Sequence, residues 1–130
     1  MPHIAATYAA LLILLFLALT WRVLARRHAT QVALGTGGDR GLERATRVHA
    51  NFAEYVPVFL AALIAAELCG APPAALHGAG IAMLAGRLAH GIGMSRDPDI
   101  VPLRAAGIIL TLLALLAAAA LALGGGVGLW

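Results

Sequence analysis

The chain has 130 residues, 62% of them hydrophobic and only 12% charged, with a mean hydropathy of +0.91; this excludes an ordinary soluble domain and points to an integral membrane protein. All nine basic residues are arginine and the isoelectric point is near 10.0, yet the arginines stand at the edges of apolar runs without a basic groove or interleaved aromatics, so no nucleic-acid partner is expected. The single cysteine, Cys69, has apolar neighbours; it excludes an internal disulfide and a paired-cysteine metal or redox site, and a packing role is expected for it.

The first apolar run extends from Ile4 to Leu24, with no basic residue before it and Arg22, Arg26 and Arg27 at its end. That is the reverse of a signal peptide, and it predicts a retained helix whose amino end lies outside the cytoplasm. The connection Ala25 to Arg47 carries five arginines and the stretch "GTGGDRG" at Gly35 to Gly41. Lacking the lysine and the preceding strand of a phosphate-binding loop, that stretch reads as a turn. A second helix is predicted over Val48 to Cys69, and "APP" at Ala71 to Pro73 turns into a third over Pro73 to Met94. There Gly78, Ala82 and Gly86 form a stripe of small residues suited to close helix packing within a bundle or between subunits. Arg96 follows, Arg104 stands just inside a fourth helix over Val101 to Leu123, and a trailing "GGGVG" reads as a frayed tail.

Each run approaches the ~20 residues needed to cross the hydrocarbon core. The fold class expected is therefore all-α, a single four-helix transmembrane domain over residues 1–130. Arginine crowds the first and third connections and is absent from the second, which places those two connections in the cytoplasm and both termini on the opposite side.

The stretch "RVHANFAEYVP", Arg47 to Pro57, puts polar groups where hydropathy climbs into the second helix. An ionisable group in hydrocarbon costs roughly 2.5 to 3.5 kcal/mol on the most lenient scale, so such a cluster marks a functional site facing away from lipid. On a helix, Arg47, Asn51, Glu54 and Tyr55 fall at about 0°, 40°, −20° and 80°, one face. Arg47 and Glu54 are roughly 10 Å apart along the axis, too far to pair directly. The face offers a guanidinium for a carboxylate, an amide, and a carboxylate for an ammonium, the complement of a small zwitterion. The alternative is that Arg47 and Glu54 are satisfied by neighbouring helices and only set register. Pro57 frees the carbonyl of Ala53 from its helical bond.

The third helix adds Arg87 and His90, with Met94 a turn further, all within about 60°. Together with Arg47 and Arg104 they form a cationic concavity toward one membrane face, able to lower a thiol pKa from its ~8.5 reference. An interhelical hydrogen bond is an equally good account of His90. No metal site is expected, because His28, His49, His77 and His90 are scattered without convergent ligands.

"ERATRVHANFAEYVP" opening the second helix and "GRLAHGIGMS" closing the third resemble MAPEG, the membrane-associated proteins in eicosanoid and glutathione metabolism, and the similarity covers nearly the whole chain. Its most specific part is R-x-x-x-N-x-x-E-Y-x-P, met by Arg47, Asn51, Glu54, Tyr55 and Pro57. The resemblance implies a homotrimer of four-helix protomers holding glutathione between neighbouring subunits near the cytoplasmic face. Arg47 would hold a glutathione carboxylate, Asn51 and Glu54 its polar backbone and amino group, and Tyr55 would line the site. Arg87 and His90 complete the expected binding set, and Arg104 is the nearest match to the arginine that stabilises the thiolate in leukotriene C4 synthase-like members. Where eukaryotic members carry tyrosines near the end of the third helix, this chain has His90 and Met94, and it looks more like the bacterial branch, which implies an inner-membrane location.

The expected activity is a glutathione-dependent transferase or peroxidase acting on a lipophilic electrophile that enters from membrane lipid. A non-catalytic ligand-binding or scaffold protein of the same family is the alternative. A small multidrug transporter also has four short helices, but it would need a carboxylate in the first helix, and this one has none.

Overall fold

The computed structural model describes residues Met1–Trp130. It contains four helices and no strand, and 82% of the chain is helical. The elements are α1 (His3–Thr30), α2 (Arg40–Leu68), α3 (Pro73–Ser95) and α4 (Val101–Gly126). The all-α expectation therefore holds. α2 and α3 separate α1 from α4, which do not touch each other.

α1 and α2 run further than hydropathy predicts by more than a turn. α1 continues past Leu24 to Thr30, and α2 begins at Arg40 rather than Val48. Both extensions are rich in arginine, so a hydropathy reading stops short of them, while local geometry sustains the helix. Asp39 closes the start of α2: its carboxylate accepts from the Leu42 amide at 2.6 Å and from Nε and Nη2 of Arg26, both at 2.9 Å. This one side chain caps α2 and ties it to the end of α1. The hydrogen-bonded Arg26 guanidinium, helped by the Leu42 amide, holds the Asp39 carboxyl below the usual carboxylate range. The glycine-rich stretch before it is the expected turn, with Gly35, Gly37 and Gly38 at positive φ.

α1, α2 and α4 are long and apolar enough to cross a membrane. α3, expected as an equivalent span, is long enough at 23 residues, but its glycines, His77, Arg87 and His90 lower its apolarity. It compensates by burial. Leu76, Met83, Arg87 and His90 all face the interior, whereas large apolar side chains such as Leu14, Leu17, Ile109 and Leu116 are exposed, as expected where lipid is the solvent. Phe59, Leu12, Leu63 and Met83 occupy the core.

The small-residue stripe acts only in part. Gly86 packs against α4, where an added Cβ would meet the Gly107 carbonyl and the Thr111 amide at 2.9 Å. Gly78 faces open space. Gly93 against Arg104 and Gly107 against His90 complete the close approach of α3 and α4.

The trailing glycines are not frayed. Gly124 to Gly126 extend α4, and the chain then turns back through Gly128 (φ 76) with Leu129 N–H donating to the Gly124 carbonyl at 2.9 Å. The Trp130 ring lies on Gly124, and Cys69 stands beside Gly125, so the glycines make room for side chains that a Cβ would displace. Cys69 itself is exposed at the end of α2.

Candidate functional site

α2 supplies the face on which the polar groups sit. Val48, Phe52, Val56 and Phe59 are buried on its inner side, leaving Arg47 and Glu54 exposed and Asn51 and Tyr55 half-buried. Arg47, Asn51, His90, Met94 and Arg104 line one cavity of about 140 Å³. A second cavity, of about 300 Å³, shares Arg47 and Met94 with it and adds Arg40, Glu43, Arg44 and Asp99. The tertiary structure thus brings α2, α3 and α4 together in a groove at the arginine-rich end of the bundle; the cavity common to all three is smaller than an ordinary small-molecule pocket, and Glu54 and Tyr55 line neither cavity.

Within the chain neither Arg47 nor Glu54 makes a hydrogen bond or ion pair, so the alternative in which the chain itself satisfies them does not hold. The opposite charges remain available at either end of the face. His90 is 4% exposed and neither ring nitrogen has a partner. Both nitrogens are buried against α4, where the Arg104 backbone approaches the ring.

Arg87 takes a different place from the one expected. It is 2% exposed, and its Nη2 donates to Asn51 Oδ1 at 2.8 Å. Nη1 reaches Thr111 Oγ1 at 3.4 Å, and the guanidinium carbon lies 5.8 Å from the ring centroids of both Phe52 and Tyr55. Arg87 therefore supports two of the expected ligand residues from behind: it fixes the carbonyl end of the Asn51 amide and leaves its NH₂ free to donate.

Arg104 lines the cavity as expected, but it is not a free cation. Its Nη1 pairs with Asp99, which also pairs with Arg44, while Arg40 and Arg44 share Asp97 at 3.2 and 3.1 Å. This ion network anchors the start of α2 to the connection between α3 and α4. Sequence reasoning passed over Asp97 and Asp99, although they are the only carboxylates in that connection and stand beside an arginine-rich helix start. Thr111, buried opposite Arg87, gave no signal in an apolar run. His49, near the polar face in sequence, points away from it: its Nε2 lies 3.1 Å from Thr20 Oγ1, and its ring stacks on Phe16. It joins α2 to α1.

With this geometry established, comparison with known proteins is decisive for the family. The sequence model of the MAPEG family matches residues 5–124. The chain belongs to the MAPEG family. Among its relatives is the inner membrane protein YecN of Escherichia coli K12, 38% identical over 90 residues, a span that is 69% of each chain. The protein of the same name from Escherichia coli O6:H1 strain CFT073 matches to the same extent. This MAPEG protein, with three helices apolar enough to span, is an integral membrane protein.

Proposed function

We propose that this protein binds glutathione in the groove of α2, α3 and α4 and directs its thiol at a lipophilic electrophile arriving from the bilayer. One observation carries the reading: Arg47 and Glu54, opposite charges on one face of α2, bracket Asn51 and have no partner within the chain. Their axial separation of roughly 10 Å suits an extended tripeptide with a carboxylate at one end and an amino-acid group at the other. Arg47 takes a carboxylate, Glu54 an ammonium, and Asn51, oriented by Arg87, the peptide groups between.

Arg104 and His90 face the same cavity, where a cation favours the ionised thiol. For a conjugation, the thiol proton passes to water, the sulfur forms a bond to carbon, and the leaving group departs with its electron pair. For a peroxide, two thiols supply two electrons, the O–O bond breaks, and a disulfide, an alcohol and water result. The groove is open on one side, consistent with a homotrimer in which a neighbouring copy covers it. The name of the relative supports an inner-membrane location, and the arginine distribution supports cytoplasmic placement of the groove, with both termini on the other side.

A non-catalytic, ligand-binding role is favoured by one specific feature, the pairing of Arg104 with Asp99, which neutralises part of the charge a thiolate would use. Calorimetric titration of glutathione into the detergent-purified protein, with thiolate absorbance read in parallel, separates the two. The enzyme reading expects saturable binding with a thiolate band near neutral pH that falls in Arg104→Ala more than affinity does. Binding without that band in the wild type leaves the ligand-binding reading, and no binding removes glutathione altogether.

A further inference from the structure

A second basic site lies between α1 and α3. There a cavity of about 420 Å³ is lined by Arg22, Arg87 and Arg96 above an apolar floor. The floor is written as helical stripes, Leu15 and Leu19 leading to Arg22 on α1, and Leu88 and Ile92 leading to Ser95 on α3. Arg22 Nη1 donates to Ser95 Oγ at 2.8 Å and closes the mouth of the groove across the two helices.

The charge in this groove is unmatched. At the opposite side of α3, Arg40, Arg44 and Arg104 share Asp97 and Asp99, but Arg22, Arg87 and Arg96 have no carboxylate partner and no acidic residue lines their cavity. Arg87 is 2% exposed, and its Nε has no hydrogen-bond partner. Its guanidinium is held by Asn51 and Thr111 on the α2 and α4 side, so the charge open to the groove is that of Arg22 and Arg96, which suits an anion with several acceptor oxygens.

We propose that this groove binds an anionic phospholipid, one per protomer, from the leaflet at the arginine-rich end. Phosphate oxygens match the planar donor pattern of arginine. An acyl chain accounts for the rest, because Leu88 and Ile92 are 43% and 49% exposed beneath the arginines and open toward the bilayer. A free phosphate would leave that floor unused. A second copy of the chain is poorly equipped to fill the groove: Asp39, Asp97 and Asp99 are already paired and Glu67 is engaged by backbone amides, leaving only Glu43 and Glu54 to meet Arg22 and Arg96.

Native mass spectrometry of the detergent-purified protein, titrated with phosphatidylglycerol or phosphatidylcholine of identical chains, tests this site. The wild type should prefer phosphatidylglycerol by about tenfold or more, as expected for loss or gain of a charge-assisted contact. The preference should largely vanish in R22Q/R96Q and be intermediate in R96Q alone, whose side chain is exposed at the end of α3. R27Q removes a charge from the same end of α1, outside the groove, and should retain the preference. Equal binding of the two lipids, an R22Q/R96Q preference equal to that of wild type, or an equal loss in R27Q would overturn the proposal. So would efficient disulfide formation between copies carrying A18C and I92C in native membranes, which would show a second chain in the groove.

Discussion

The two ends of the bundle treat polar groups in opposite ways. At the end where α1 starts and α2 finishes, demand and supply match. The Glu67 carboxylate accepts from the amides of Ile4 and Ala5 at 2.8 and 2.6 Å, and the Tyr8 hydroxyl donates to the His77 carbonyl at 3.2 Å, with His77 Nδ1 3.1 Å away. At the other end there is a surplus, with Arg47, Glu54 and the ring of His90 unpartnered on one side of α3, and Arg22 and Arg96 without a carboxylate on the other. A polar group inside a membrane helix is costly. Where the chain itself answers that cost, the group is structural. Where it does not, the group is left available to something that is not part of the chain.

If this distinction is right, substitutions at the two ends should have opposite signatures. The largest effect is expected at the surplus end: Arg47→Ala and Glu54→Ala should each weaken glutathione binding by about 1.5 to 3 kcal/mol, the value of a charge-assisted hydrogen bond, with thermal unfolding in detergent unchanged. Unaltered binding in both variants would dissolve the proposed site. Glu67→Ala should do the reverse. It uncaps the first turn of α1 and should lower stability by about 1 to 2 kcal/mol, seen as a lower Tm, while glutathione affinity stays at the wild-type value. A loss of affinity as large as the loss of stability would erase the contrast between the ends.

The smallest effect concerns the junction of α1 and α2. Asp39 has a depressed carboxyl pKa, chiefly from its hydrogen bonds to Arg26, so its contribution is present above the ordinary carboxylate range and is lost as pH falls through the lowered folded value. The protection of the Leu42 amide, taken relative to the intrinsic exchange rate at each pH, should therefore be high at neutral pH and fall only below the ordinary carboxylate range. Asp39→Asn should exchange faster at neutral pH and lose most of that acid dependence. An acid transition in Leu42 exchange that persists in Asp39→Asn would assign the effect to another group.

The pattern of agreement follows the range of the interactions involved. The polar face of α2 was legible because helical periodicity alone puts Arg47, Asn51, Glu54 and Tyr55 on one side. The helix starts and ends were less so: the arginine-rich beginning of α2 looks like a loop to a hydropathy reading, and its cap depends on Asp39 meeting Arg26 across a turn. The glycines after Leu123 read as a tail because nothing local shows that Trp130 returns to cover Gly124.

Composition, the spacing of apolar runs and the motif between Arg47 and Pro57 suffice to determine a helical membrane protein, its family and the polar face of its second helix, since these follow from the cost of polar groups in lipid and from the helical repeat. Which groups remain unsatisfied is a different kind of fact. Whether Arg104 is free or paired with Asp99, whether Arg87 contacts a ligand or stands behind Asn51, and whether Arg22 shares a groove with Arg96 all depend on how α1, α3 and α4 are placed. Only packing decides that placement, because a charge's partner in a bundle lies on another helix, at a sequence distance that no local pattern encodes.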